Sequence, residues 1–300
     1  MVELAGGVIL LNKPGGVTSR HCVNKLVRLL SCRKIGHAGT LDPGATGMLP
    51  IFVGRATKFI RFLVEQDKSY VVTMSLGEKT STADNLGEVI ATCGVPLLEE
   101  KRLLAVLEGF VGLQQQQVPL VSAVRVNGKR LYEYARQNQQ VECPTRQVRI
   151  NSIELIGFDG GAISLRVSCS KGTYVRSLVE DIGERLGSYA HVVKLHREWV
   201  EPFKNNCLSD FDEIDLYYDK HSSLDGYAGF LSLANVFSYC PSLQLTAKEK
   251  EILLHGKKLE YTGKIDVKSD WYALYVGLEF FGVASVVAGV LMPIKLLSLV

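Results

Sequence analysis

The sequence predicts an α/β fold of the α+β kind: a mixed, mostly antiparallel sheet with flanking helices, followed by a small C-terminal β-barrel. Three observations carry this. Strand-like and helix-like stretches are interspersed along the chain, which disfavours a doubly wound parallel sheet. A hairpin signal, Asp159-Gly160-Gly161, separates the strand-like runs Val148–Phe158 and Ala162–Ser168. The apolar stretch after Trp271 is punctuated by Gly277, Gly282 and Gly289 at strand-and-turn spacing.

The elements follow in order. Gly7–Leu11 is an apolar strand, and Asn12-Lys13-Pro14-Gly15-Gly16 a turn. Thr18 or Ser19 caps a helix to about Ser31, with Cys22, Val23, Leu26, Val27 and Leu30 at helical spacing. A glycine-rich loop runs from Gly36 to Gly47. Ala56–Val64 reads as a helix and Ser69–Leu76 as a strand. Glu99–Phe110 is a helix with Leu103, Leu104, Val106, Leu107 and Phe110 inward. Asn127-Gly128 marks a tight turn between Val121–Val126 and a short helix near Leu131–Ala135. Thr173–Leu186 is a helix capped by Thr173, and His191–Val200 a strand. Pro202 to about Gly229 is acidic and irregular and reads as a surface connection. A helix at Lys248–Leu254 opens the C-terminal unit.

The 300 residues allow one large domain with a smaller companion, placed here at 1–240 and 241–300. With 47% hydrophobic and 22% charged residues, disorder and collagen-like repeats are excluded. The net charge of +3 is uneven. Residues 1–60 carry eight Lys/Arg against Glu3 and Asp42. Residues 120–150 carry Arg125, Lys129, Arg130, Arg136, Arg146 and Arg149 against Glu133 and Glu142. Such patches suit a local polyanion, or are simply solvated faces. Seven cysteines with no pair closer than ten residues give neither a disulfide framework nor zinc spacing, which points to a reducing cytoplasm. Met1–Gly6 has no basic leader pattern. The apolar run Phe280–Met292 is shorter than the roughly 20 residues of a membrane span, so buried strands are expected in place of an anchor.

Two segments carry candidate chemistry. In Lys34–Pro50 a single carboxylate, Asp42, stands in a frame of glycines and prolines. Glycines let a backbone approach a ligand and Pro43 stiffens the residue after the acid, so Asp42 suits nucleophilic attack. The competing reading is an aspartate that bonds its own turn. The loop's glycines lack the lysine of a phosphate-binding P-loop. In Ser170–Arg176, Arg176 falls in the first turn of a helix, where a cation opposes the dipole. With Lys171 it suggests a carboxylate or phosphate to hold; an exposed arginine tolerating the penalty is the alternative.

The loop Gly36–Pro50 resembles the catalytic motif of the tRNA pseudouridine synthase B (TruB) family. Four further segments resemble the family in order. They are Asn12–Ser19, Asp67–Tyr70, the RNA-gripping insertion at Gly128–Arg136, and Cys169–Arg176 followed by Ala190–Val192 with Leu195. The resemblance implies a pseudouridine synthase sheet and a PUA-like RNA-binding barrel at the C-terminus, with the insertion spanning about 118–150. It implies isomerisation of uridine to pseudouridine in tRNA, at position 55 of the T-arm, on a flipped-out base and with no cofactor or metal. Asp42 stands at the catalytic aspartate, Tyr70 at the active-site tyrosine, and Arg176 at the arginine that pairs with the aspartate. Leu195 matches the apolar pocket residue and His37 the histidine that holds the stem-loop. Lys13, Lys58, Asp84, Lys129, Arg130 and Lys171 fall at positions expected to bind or frame the RNA. The chain is expected to act as a monomer with no membrane partner. A non-catalytic RNA-binding protein on the same scaffold is the rival. The sequence departs from the family pattern at Gly44, where a leucine is common, in the shortened Gln117–Ala123, and at His196 in Leu195-His196-Arg197.

Overall fold

The structure is a computed structural model that describes residues 6–63, 66–261, 263 and 269–297. Met1–Ala5 and the expected helix end at Val64 lie outside the described residues.

The strand β1 (Gly7–Lys13) leads into α1 (Ser19–Leu29), whose first turn is closed by the Thr18 hydroxyl accepting from the His21 amide at 3.0 Å. Next come β2 (Ile35–His37), β3 (Thr46–Val53), a 3₁₀ helix (Gly54–Phe62) where a helix over Ala56–Val64 was expected, and β4 (Lys68–Leu76). The short hairpin β5 (Glu78–Thr80) and β6 (Val89–Thr92) precedes α2 (Glu100–Glu108) and β7 (Gly112–Gln117). The insertion follows with β8 (Arg125–Val126), β9 (Lys129–Arg130) and α3 (Leu131–Arg136). Its turn is the expected Asn127-Gly128, both at positive φ. Then come β10 (Thr145–Asp159), β11 (Ala162–Cys169), α4 (Val175–Leu186) and β12 (Ala190–Val200).

The strands β1–β4, β7 and β10–β12 form a nine-stranded sheet completed at its edge by β13 (Phe230–Ser232), which pairs with β1, while β5–β6 and β8–β9 are separate hairpins. All its pairings are antiparallel except β12 with β3, as the sequence predicted. One face packs on α1, α2, α4 and α5 (Phe211–His221) through Ile9, Leu11, Ile51, Val72 and Leu165. The other face presents Val8, Leu10, Met48 and Phe52.

Three expectations are corrected. The stretch Pro202–Gly229 is no surface connection: it contains α5, opened by a capping box at Asp210 and Glu213, and buries Phe211, Ile214 and Leu224 in the main core. Leu104 of α2 is 46% exposed, because this helix buries a narrow stripe of Leu103 and Leu107 continued by Phe110. Thr173 does not cap α4. Its hydroxyl donates to the Ser170 carbonyl at 2.9 Å, and Tyr174 takes the cap position. Buried Gln116 binds both sides of the Tyr174 backbone, accepting from its amide at 2.8 Å and donating to its carbonyl at 3.0 Å.

After α6 (Leu233–Phe237) comes a five-stranded half-barrel, as a PUA-like unit requires. It comprises β14 (Ser242–Gln244), α7 (Ala247–Leu254), β15 (Leu259–Glu260), β16 (Tyr272–Val276), β17 (Glu279–Val287) and β18 (Val290–Leu296). The run Phe280–Met292 is β17, the Ala288-Gly289 turn and the start of β18. No described helix is long and apolar enough to cross a membrane.

The second sheet docks on the far face of the first through one shared apolar core. The Phe237 ring stacks on Phe280 at 4.7 Å, and Phe59 meets Phe280 edge-on at 5.2 Å. Phe237 is wholly buried there. Phe237→Ala is expected to lower stability by about 3–5 kcal/mol in urea unfolding, while exposed Leu278→Ala stays within about 0.5 kcal/mol.

Candidate active site

The loop between β2 and β3 carries Asp42. It is pinned from below by two buried cations. Lys13, fully buried, donates to the carbonyls of Pro14, Pro43 and Ala45 at 2.9, 3.2 and 2.7 Å. Arg197, 1% exposed, donates to Gly39 at 2.9 Å and Met48 at 2.8 Å. The Ser19 hydroxyl bridges the amide and carbonyl of Leu41. At Gly47, φ is 97° and a Cβ would stand 2.3 Å from the Arg197 carbonyl, so only glycine lets β3 lie this close to β12.

The Asp42 side chain bonds not to its own turn but to Arg176. The Arg176 Nε donates to Oδ2 at 2.8 Å and Nη2 to Oδ1 at 3.2 Å. The Arg176 side chain is 4% exposed and that of Asp42 36%, so the carboxylate is held from within and open on its outer side. The remaining Arg176 donors reach the Thr82 carbonyl at 2.8 Å and the Val121 carbonyl at 2.9 Å. An arginine in the first turn of α4 is thereby matched by a carboxylate and two carbonyls, and the reading of it as an exposed side chain falls.

A cleft of about 1930 Å³ opens above the loop, lined by Asp42, His37, Arg130 and the strap Leu120–Ala123. A small pocket beside it brings Leu195 and Asp84 against Asp42 and Arg176. Asp84 shapes this wall: its carboxylate accepts from the Thr82 hydroxyl at 2.6 Å and the Leu86 amide at 3.1 Å. Tyr70 lies beneath, 7% exposed, in register with Arg197 on β12 and two pairs along from Val72 and Leu195. It lines neither cavity. Burial pushes its phenol pKa up, against the pull of the Arg197 guanidinium.

The other expected residues divide. Burial lowers the His37 pKa, and Arg197 and Arg20 push the same way, so the ring is neutral at pH 7. Its Nδ1 and the Ser122 Oγ are buried atoms without a hydrogen-bond partner among the described residues. Lys13 serves the loop's carbonyls and so frames the site from inside. Arg130 lines the cleft. Lys129 is turned onto Gln137 and Gln139 and over the Tyr134 ring at 4.4 Å. Lys58, on the 3₁₀ helix, and Lys171, before α4, are exposed and line no part of the cleft.

Arg197 and Lys68 were missed. Arg197 stood inside a noted motif, but nothing in its spacing marked it as buried. Lys68 is 8% exposed beside Arg197, with its Cε 3.7 Å from where a Gly39 Cβ would stand. Two departures from the family pattern find places. The His196 Nδ1 bonds the Thr46 hydroxyl at 2.9 Å, and Leu86 lies 3.5 Å from where a Gly44 Cβ would stand. The shortened Gln117–Ala123 still delivers the Val121 carbonyl to Arg176.

The Asp42 carboxylate is thus locked on one side by a buried guanidinium and open on the other to the cleft. Residues 27–175 match the TruB family pseudouridylate synthase (N terminal domain), and residues 176–229 the tRNA pseudouridylate synthase B C-terminal domain. The tRNA pseudouridine synthase B of Idiomarina loihiensis is 35% identical, with 97% of this chain and 94% of that protein covered. That of Coxiella burnetii is 41% identical over 84% of this chain and 81% of the relative. Among solved structures, a Cbf5-Nop10-Gar1 complex shares the fold at a TM-score of 0.77 and 25% identity, covering 97% of this chain and 84% of that one. An H/ACA RNP bound to a substrate RNA containing 2'-deoxyuridine matches at a TM-score of 0.75 and 23% identity, with the same coverage.

The chain belongs to the TruB family of pseudouridylate synthases. It is an enzyme of the isomerase class.

Burial lowers the Lys68 pKa from the ordinary 10.5 to about 8, with Arg197 adding to the shift. Between about pH 8 and the usual lysine range the unfolded chain binds the extra proton, so this group makes stability rise with pH there. Below pH 8 its full penalty, up to a few kcal/mol, is present. Lys68→Met is expected to be more stable than wild type at pH 7, with the advantage narrowing by pH 9.5. Urea midpoints at the two pH values check this.

Proposed function

We propose that this protein isomerises uridine to pseudouridine in tRNA, at position 55 of the T-arm, with Asp42 as the nucleophile. The observation that carries the reading is the open Asp42 carboxylate held bidentate by buried Arg176 at the floor of a basic cleft. The relatives named tRNA pseudouridine synthase B support tRNA as the substrate. Residues 1–240 act as the catalytic unit with the insertion at 118–150, and 241–300 as a PUA-like RNA-binding unit. The protein works as a monomer in the cytoplasm.

The reaction is balanced within one nucleotide. The C1′–N1 glycosidic bond breaks, a C1′–C5 bond forms, the C5 proton leaves and N1 gains one. The uridine is first extruded from the folded RNA, at a cost of a few kcal/mol. The Asp42 carboxylate then adds at the ribose anomeric carbon or at C6 of the base. Leu195 supplies an apolar wall that keeps the detached uracil in place while it turns. Arg176 fixes the angle of attack. Tyr70 offers its ring to the base and its hydroxyl to the moving proton, and burial, which raises its pKa further above neutral, favours the protonated phenol. His37, Lys13, Lys58, Asp84, Lys129, Arg130 and Lys171 frame or grip the RNA.

The test is incubation of the pure protein with an unmodified tRNA transcript, followed by pseudouridine mapping at single-nucleotide resolution. Wild type is expected to modify the T-arm position. Asp42→Asn is expected to bind tRNA within a few-fold of wild type and form no product. Tyr70→Phe is expected to slow the chemical step by ~10²–10⁴ where the hydroxyl moves the proton. Product from Asp42→Asn removes the nucleophile assignment. Tight binding by wild type without product makes the protein a non-catalytic RNA binder.

A further inference from the structure

The insertion places an aromatic ring and a spare cation on the wall of the cleft that holds Asp42. Tyr132, the second residue of α3, is half-buried and lines this cleft with Arg130 and Arg136. The Arg136 guanidinium stands over the Tyr132 ring at 5.2 Å and that of Arg130 at 5.8 Å. Both lie within the ~6 Å of the ring centre at which a cation is attracted to the ring face, so in the resting site the guanidiniums stand over the ring. Arg130 also donates to the Tyr132 hydroxyl at 3.3 Å. Arg136 is exposed, and among the described residues it makes no hydrogen bond or ion pair.

The ring is also registered to the reactive carboxylate through the backbone. The Tyr132 amide donates to the Ser122 carbonyl at 3.0 Å. The preceding carbonyl, Val121, accepts from Arg176 at 2.9 Å, and Arg176 holds Asp42. The strap 120–124 is fixed further by the Ser122 amide on Leu120 and the Leu131 amide on Val124, at 3.0 and 2.8 Å. A ring tied to the nucleophile by three successive hydrogen-bonded steps presents its face at a set distance from the reacting position.

A half-buried tyrosine flanked by guanidiniums is the arrangement that receives an unpaired base: the ring takes the base face and the arginines take the flanking phosphates. We propose that Tyr132 is a stacking platform for an unpaired nucleobase of the bound RNA, and that Arg136 leaves the ring to meet a phosphate as the base arrives. Tyr132 is a positioning residue and takes no part in the chemistry. This rests on the RNA-modifying reading above and adds the contact that sets the register of the RNA.

The test compares Tyr132→Phe, Tyr132→Leu and Arg136→Gln in the full chain. The readouts are tRNA-transcript affinity across a salt series and single-turnover rate at saturating RNA. Tyr132→Leu is expected to lose ~10–100-fold in affinity, the range for one stacked base, with the slope of log K against log salt unchanged. Tyr132→Phe is expected to bind as wild type. Arg136→Gln is expected to flatten the slope by about 0.7–0.9. A transcript carrying 2-aminopurine in turn at each unpaired T-arm nucleotide should be quenched at one position by wild type and Tyr132→Phe, and not by Tyr132→Leu. Wild-type affinity in the Leu variant, an equal loss in the Phe variant, or quenching that survives Tyr132→Leu each overturns the platform. Wild-type protein that binds and quenches without forming pseudouridine would contradict the function and leave the platform standing.

Discussion

The arrangement of the site turns on the Arg176 guanidinium. Its donors span three segments that are far apart in sequence: the Asp42 loop, the turn after β5 through Thr82, and the strap that enters the insertion through Val121. Buried and placed in the first turn of α4, it is unfavourable both to desolvation and to the helix dipole. The bidentate carboxylate and two carbonyls offset those costs only when all three segments are in place. Removing one partner of such a pair leaves an uncompensated buried charge, typically a loss of 3–5 kcal/mol. The geometry of Asp42 and the closure of the insertion's base are therefore one constraint.

Below the loop the same logic repeats with fewer anions. Lys13, Lys68 and Arg197 are all buried, and Lys13 and Arg197 spend their donors on loop carbonyls. A glycine- and proline-rich loop has few backbone partners of its own, so its carbonyls need donors from outside. Long basic side chains reach them from the sheet while their stems pack among apolar residues. The positive field beneath Asp42 that results suits a substrate that brings negative charge.

Much of this was legible in the sequence. The tight turn at Asn127-Gly128 and the hairpin at Asp159-Gly160-Gly161 were read from turn chemistry, and α1 from its cap and its spacing. Asp42 stood out because it is the lone carboxylate in its loop. What was not legible depends on tertiary contacts. The backbone of Tyr174, where α4 begins, is held by Gln116, 58 residues away, so no local pattern marks the start of the helix. The burial of Phe211 and Ile214 followed from α5 packing on α1's face of the sheet, while their acidic neighbours suggested a solvated connection. Arg197 reads as an ordinary basic residue until β12 lies beside β3 and its side chain passes under Gly39. Lys13 was expected near the RNA, and the structure shows its ammonium group bonded to backbone carbonyls.

The central claim is that the Arg176 fork fixes the attacking carboxylate, and the most direct measurement is the single-turnover rate and the binding constant of Arg176→Lys on a tRNA transcript. A lysine keeps the charge but cannot form the two parallel bonds to Asp42 while also reaching Thr82 and Val121. A misplaced reacting group costs on the order of 100-fold. The account predicts a rate at saturating RNA lowered by about that factor or more, with the binding constant within a few-fold of wild type. A wild-type rate in Arg176→Lys would contradict it.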